Sequence, residues 1–503
     1  MNLKTSQAPV SVRLHMALVA ALMLSACGSP DRPEWLVQDV NCARGASPVA
    51  EVAMDWEWTT WPVLELSLTH EVTGWVRFGT QDDPIQVTPA LPWVDGEVVP
   101  LRGGRAEREY DYMIVTTDGA TEWCDFGRFE TGSFVADFPE IYTEVYDSDR
   151  VPPAFVTVPI YGEEDGELFT VILDTGGQPV WVSEDSDTSA VVRLHEDRVW
   201  TMRSAIDEHS EATMVGQAFD LTNNQEFSVT GSRWSFDIHN PSPAGFDEDT
   251  LWTALAWGSQ EFEYEGETRK MIGDRIIEFD PVTEVTEVWS AFDSFTPDLS
   301  REWPTDSGFY PDATGEDWSH VNSLSFHQEE DAYFVTSDGL EAVIRVDRAT
   351  GEADWVLGDS TGDFEVIGDQ RLVHDPHSAQ WLGEDRLLLF NRRTESSDTR
   401  CATVDEIALD FDAGTAELVG SYGGEECLTV AFLGEVYEDD DGLRWITYGS
   451  AGRFEVLDTD GTLISQAQLD LGAGFGFHSV YESLYYEVLV HPPAPPEDES
   501  GAL

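Results

Sequence analysis

One unit recurs along most of the chain and restricts the folds open to it. An apolar strand runs into Asp and a polar turn, and a second strand usually follows. The copies are Thr170-Val-Ile-Leu-Asp174, Ala218-Phe-Asp220, Arg275-Ile-Ile-Glu-Phe-Asp280, Ala342-Val-Ile-Arg-Val-Asp347, Ile407-Ala-Leu-Asp-Phe-Asp412 and Arg453-Phe-Glu-Val-Leu-Asp458, with their closing Asp residues 46 to 67 positions apart. Trp181, Trp289 and Trp355 come soon after the turn in three copies and are expected to pack between units. A unit of this size cannot bury both of its faces alone, so it must stack on its neighbours. Six copies predict six four-stranded blades, a six-bladed β-propeller over residues 151–492.

The rest of the chain divides around that repeat. At 503 residues it exceeds one ordinary domain. Pro and Gly are spread evenly, long helix-period segments are missing, and the reading is all-β throughout. Residues 45–134 alternate like a small β-sandwich, with Leu64-Glu-Leu-Ser-Leu-Thr, Thr73-Gly-Trp-Val-Arg-Phe-Gly79, Glu109-Tyr-Asp-Tyr-Met-Ile-Val115 and Phe126-Gly-Arg-Phe-Glu-Thr-Gly132. That strand order resembles a fibronectin type III module and implies a spacer or lid without chemistry of its own. Residues 135–150 read as a linker and 493–503 as an acidic tail.

Residues 1–27 carry a basic start, an apolar run from Met16 to Leu24, and Leu24-Ser25-Ala26-Cys27-Gly28. This resembles the signal peptide and lipobox of bacterial lipoproteins, which implies lipidation at Cys27, a tether over 28–44, and residence at the outer membrane, periplasm or cell surface. Setting Cys27 aside leaves Cys42, Cys124, Cys401 and Cys427. Four cysteines allow three pairings; Cys42 with Cys124 and Cys401 with Cys427 is favoured because each pair stays within one inferred domain. Metal-ligand spacing is absent, and neither metal nor cofactor is expected.

Charge constrains the partners. There are 97 acidic residues against 27 basic ones, only two of them Lys (Lys4 and Lys270), for a net charge of −70. Such a surface repels nucleic acid and anionic membrane. An anionic substrate would also be repelled at low salt, so its site needs local positive charge.

Residues 318–393 gather four of the eleven histidines in otherwise histidine-poor β sequence. His239, His320 and the pair His374 and His377 lie 54 to 81 positions apart, about one blade per step. Blade entrances converge on the central channel of a propeller, so these imidazoles are expected to meet at one mouth. Imidazole is both a nucleophile and a proton carrier near neutral pH. Several imidazoles converging at one mouth can therefore supply a nucleophile, hydrogen-bond donors and an acid together. His195, His209, His327 and His478 read as turn hydrogen-bonders.

The words around these histidines carry a resemblance. Asp-Trp-x-His-x-Asn-Ser at 317–323, Val-Ile-Arg-Val-Asp-Arg-x-Thr-Gly-Glu-x-x-Trp-x-Leu-Gly at 343–358, and His-x-Ala-Gln-Trp-Leu with Leu-Leu-Leu-Phe-Asn at 377–391 resemble the bacterial arylsulfate sulfotransferases. The resemblance is good over about 235–395. It implies a six-bladed propeller and ping-pong transfer from an aryl sulfate to a phenol through a sulfated histidine, without a nucleotide donor. By position it implies that His377 is the nucleophile, with His374 as the alternative, and that His320 and His239 assist. His374 and Asn322 would then bind substrate. One departure matters. The family usually has an Arg in the strand after His320, where this chain has Thr336-Ser337-Asp338-Gly339. The expected cation would come instead from Arg392 or Arg393, or the substrate is not a sulfate ester. A propeller lipoprotein that only binds a polysaccharide, peptide or envelope partner is the alternative reading. A quinone-cofactor dehydrogenase fits less well, since those resemble eight blades with different Trp repeats.

Overall fold

The computed structural model describes residues 33, 35–37 and 40–481, apart from 82–84, 135–137, 153, 162–167, 183–190, 196–197, 207–211, 221–223, 230–234, 237–241, 245–250, 280–285, 306–314, 359–361, 369–370, 397–398, 424–426, 471–473 and 476–478. The protein is almost entirely β. Val49–Trp58, Trp61–Leu68 and Glu97–Pro100 form one sheet of the sandwich. Val72–Gly79, Glu109–Thr117 and Glu122–Glu130 form the centre of the other. Alternation fixes their faces: Leu64, Leu66 and Leu68 point into the core while Glu65 and Ser67 face water. Cys42 and Cys124 are bonded, with Cα atoms 5.4 Å apart, and so are Cys401 and Cys427, at 4.8 Å.

Six further sheets follow in a propeller arrangement. The fourth shows the plan: Val321–His327, Ala332–Ser337, Ala342–Asp347 and Ala353–Gly358 form a consecutive antiparallel meander. Every copy of the repeat lies on the third strand of its sheet: Leu168–Asp174, Ala212–Asp220, Glu267–Phe279, Ala342–Asp347, Thr399–Asp410 and Arg453–Leu457. Trp181, Trp289 and Trp355 then fall on fourth strands and are buried. Phe334, Trp355 and Trp381 show how they pack, joining the fourth sheet to the fifth in one core. Burying each such side chain contributes roughly 1.5–3 kcal/mol.

Chain ends close the ring. Ile141–Tyr146 pairs with Leu463–Leu469 of the sixth sheet. This strand falls inside the segment read as a linker, so that expectation is corrected: its alternating Tyr, Thr and Val supply a sheet edge. Gly474–Phe475 and Ser479–Tyr481 pair with Phe155–Tyr161 and complete the first sheet from the opposite end of the chain. A single core containing Val158, Val171, Phe454 and Ile464 joins the first and sixth sheets.

First strands of neighbouring sheets face one another. Ser325 Oγ donates to the Ala379 carbonyl (2.7 Å). Glu438 N donates to Gln380 Oε1 (2.6 Å), and Gln380 Nε2 donates back to the Glu438 carbonyl (2.9 Å). Because strands alternate in direction, residues preceding each first strand share one end of the molecule, the front. The repeated Asp turns that close the third strands share the other end. The sandwich contacts the first sheet at that rear end, through Arg105 Nε to Asp174 (2.6 Å) and Thr60 to the Val180 carbonyl (2.6 Å).

Candidate active site

Three successive sheets present a tight turn at the front, directly before the first strand. The turns are 317–320, 374–377 and 431–434, leading into Val321–His327, Ser378–Gly383 and Glu435–Glu438. Each holds a non-glycine residue in the left-handed region: His320 (φ 38°), Asp375 (φ 44°) and Leu433 (φ 59°). Such conformations cost about 1–3 kcal/mol each and persist only where the surroundings over-determine them.

Buried polar groups supply that determination. For the first turn, Asp274 of the third sheet accepts from Val321 N (2.7 Å) and Ser319 Oγ (2.5 Å), and Asp338 N donates to the His320 carbonyl (3.0 Å). In the second, Asn391 Oδ1 accepts from His374 N (2.9 Å), and His377 N donates to the Phe390 carbonyl (3.0 Å). The third is held by Ser450, whose Oγ accepts from Ala431 N (2.7 Å) and whose N–H donates to the Phe432 carbonyl (3.1 Å). Cross-ties join them. Asn322 Nδ2 donates to the Pro376 carbonyl (2.9 Å), and Arg392 Nη1 donates to the Ala431 carbonyl (2.8 Å).

His320 is strongly perturbed. Burial works to lower its pKa, but the hydrogen bond between Nδ1 and Asp317 (2.5 Å) and the charges of Asp317, Asp338 and Asp274 outweigh it and raise it to about 9. The ring is therefore an imidazolium at neutral pH. Asp317, three residues earlier, accepts with its other oxygen from His320 N (3.2 Å), so one carboxylate fixes backbone and ring together.

The other expected residues divide. His377 is 3% exposed and, like His320, directly precedes its first strand. His374 lies in the same turn, with Nε2 2.9 Å from the Arg371 carbonyl. Arg392 does not fit the expected role of a substrate cation. It is buried, and its guanidinium bonds Asp375 Oδ1 (2.6 Å), the Asp375 carbonyl (3.4 Å) and the Ala431 carbonyl, so it ties two turns together. Arg393 is more open, with Nη2 2.9 Å from the buried Asp405 and a side chain 28% exposed. Asn322, expected against substrate, is 1% exposed and bonds Thr336 (2.6 Å) as well as Pro376; it positions the turns instead. His239 and Cys27 lie outside the described residues. Among the described residues, each cation of these turns faces a carboxylate: His320 with Asp317, Arg392 with Asp375, Arg393 with Asp405.

Sequence reasoning missed Asp317 as the partner of His320, Asp274 as the anchor beneath it, and the third turn altogether. Asp three residues before His in a polar turn is a signal that could have found the first. Nothing in the local sequence marks the others, because their partners lie far off in the chain: Asp274 on the third sheet, Ser450 beyond the next strand and Arg392 on the fifth sheet.

Among solved structures, the chain is similar to a protein of unknown function from Bacteroides caccae (12% identity, 66% of this chain and 100% of that one, TM-score 0.38). It is also similar to a streptogramin B lyase (10% identity, 68% and 98%, TM-score 0.34) and to the soluble aldose sugar dehydrogenase from Escherichia coli (10% identity, 68% and 100%, TM-score 0.32). No curated protein matches the chain. No helix among the described residues is long and apolar enough to cross a membrane. The family model for arylsulfotransferase (ASST) matches residues 143–468, which takes in all six propeller sheets up to their closing strands and all three front turns, and the chain belongs to that family.

Proposed function

We propose that the front turns carry out sulfuryl transfer from an aryl sulfate ester to a phenol, with His377 as the covalent carrier. An imidazole nitrogen of His377 attacks sulfur as the bond from sulfur to the aryl oxygen breaks, and the departing phenolate takes a proton from His320. In the second half the acceptor phenol returns a proton to His320 as its oxygen attacks sulfur and the nitrogen–sulfur bond breaks. The observation that carries this reading is the His320–Asp317 pair, tied through Asn322 to the turn that ends in His377. An acid of pKa about 9 lies just below a phenol near 10, so the proton moves either way with little driving force. The same imidazolium supplies positive charge where the family's usual Arg is replaced by the 336–339 turn, and Arg393 is the second cation of the reading. His239 assists in it, and a lipid on Cys27 holds the exported protein at the envelope.

The experiment mixes the protein with 4-nitrophenyl sulfate and a second phenol. Nitrophenolate release, a sulfated phenol and a sulfuryl adduct trapped on the His377 peptide are expected, with the adduct identified by peptide mass. His377→Ala should abolish both half-reactions, whereas His320→Ala should cost on the order of 100-fold or more in rate. A fully active His377→Ala protein would end the proposal. The pairing of each front cation with a carboxylate favours the rival reading, a propeller that only binds; folded wild type without turnover or adduct would establish that one.

A further inference from the structure

We propose that Phe432 is the aromatic platform of this site, the face on which the aryl ring of the sulfate donor, and then of the phenol acceptor, stacks; this rests on the sulfuryl-transfer reading. Of the three strained turns at the front, two present histidines and the third presents Phe432, which is 49% exposed. Its exposure is imposed by a rigid turn. Leu433 beside it is buried in the left-handed region, a conformation that a bulky residue adopts only under constraint. Gly434 (φ 133°) lies so close to Phe390 that a Cβ there would meet the ring at 2.3 Å, and a Cβ on Gly449 would meet the Phe432 carbonyl at 2.3 Å. The Cys401–Cys427 bond ties the start of the same loop to the fifth sheet.

Position links this ring to the chemistry. Arg392 holds Asp375 with one nitrogen and the Ala431 carbonyl with another, so a single guanidinium spans the gap between the His374–His377 turn and the residue before Phe432. Among the described residues no aromatic ring packs on Phe432. Phe411 is about as exposed (47%) but lies at the rear and packs against Trp355, Phe364 and Trp381. Charge gives the ring its use: a chain of net charge −70 offers an anionic ester no long-range attraction, so affinity must come from short-range contacts, and burial of the aryl group adds to what the local cations supply.

The test compares wild type, Phe432→Ala, Phe432→Tyr and Phe411→Ala with 4-nitrophenyl sulfate. Stacking made equally in ground and transition states predicts that Phe432→Ala raises KM about 3- to 10-fold with kcat within about 2-fold, and that Tyr restores wild-type KM. Phe411→Ala should leave both constants unchanged. An unchanged KM in Phe432→Ala, or a Tyr variant as impaired as Ala, would overturn the assignment. If wild type shows no turnover, the transfer reading fails separately, and the platform is judged by calorimetric Kd for 4-nitrophenyl sulfate. A 3- to 10-fold weakening in Phe432→Ala then supports it; equal affinity, or no binding to wild type, overturns it.

Discussion

Asp317 and His320 make the front of the molecule sensitive to alkali. Because the folded pKa of His320, about 9, stands above the ordinary value near 6.5, its charge stabilises the fold fully below about 6.5 and that contribution is lost as pH rises through 9. The carboxylates of Asp317, Asp338 and Asp274 all face the ring electrostatically and hold the proton there. Replacing the hydrogen-bonded one, in Asp317→Asn, should therefore move the alkaline limb of kcat/KM down from about 9 by at least one unit, and the same shift should be visible in the His320 imidazole titration by NMR. A limb that stays at 9 in the variant would mean that another group sets it.

At the level of elements, each front turn is a short loop tied both to its own sheet and to a neighbouring one. The third shows this most plainly. Its Gly434 combines φ 133° with contact against the Phe390 ring, so Gly434→Ala adds backbone strain and forces the ring aside. We expect a loss of about 2–4 kcal/mol in urea-denaturation free energy, together with a raised KM for aryl sulfates as the turn carrying Phe432 shifts. A variant as stable as wild type would show that the turn has room to adapt. A buried ion pair also ties the fifth and sixth sheets: Arg444 bridges Glu406 of the fifth and Glu438, the last residue of the strand that leaves this turn.

Across the whole molecule, charge governs both stability and the approach of substrate. A net charge of −70 on 503 residues favours the expanded chain by self-repulsion and repels an anionic donor, and both effects fall as salt shortens the screening length from about 10 Å at 0.1 M to about 3 Å at 1 M. Raising NaCl over that range should increase the denaturation midpoint and increase kcat/KM for 4-nitrophenyl sulfate, chiefly through KM. An uncharged phenol acceptor should show a much weaker salt effect on its own KM. A decline of donor kcat/KM with salt would instead reveal a locally positive mouth strong enough to override the surface.

The all-β class, the sandwich ahead of the repeat, the two disulfide pairings and the family are all legible in the linear string, because alternation, turn residues and repeat period are local properties that it records. The positions of His320 and His377 before first strands are legible too, since those words recur at about one blade per step. Packing of the sheets was needed to settle that Ile141–Tyr146 closes the sixth sheet rather than linking domains, that Arg392 and Asn322 brace turns instead of meeting substrate, and that Asp317 with Asp274 and Asp338 keeps His320 charged. Each of these depends at least in part on what another strand or a neighbouring sheet brings within hydrogen-bonding or Coulombic range. Phe432 is the extreme case: an ordinary Phe in the sequence, it acquires its place only because the fifth and sixth sheets share one core and Arg392 of the fifth bonds the carbonyl of Ala431, beside the left-handed Leu433.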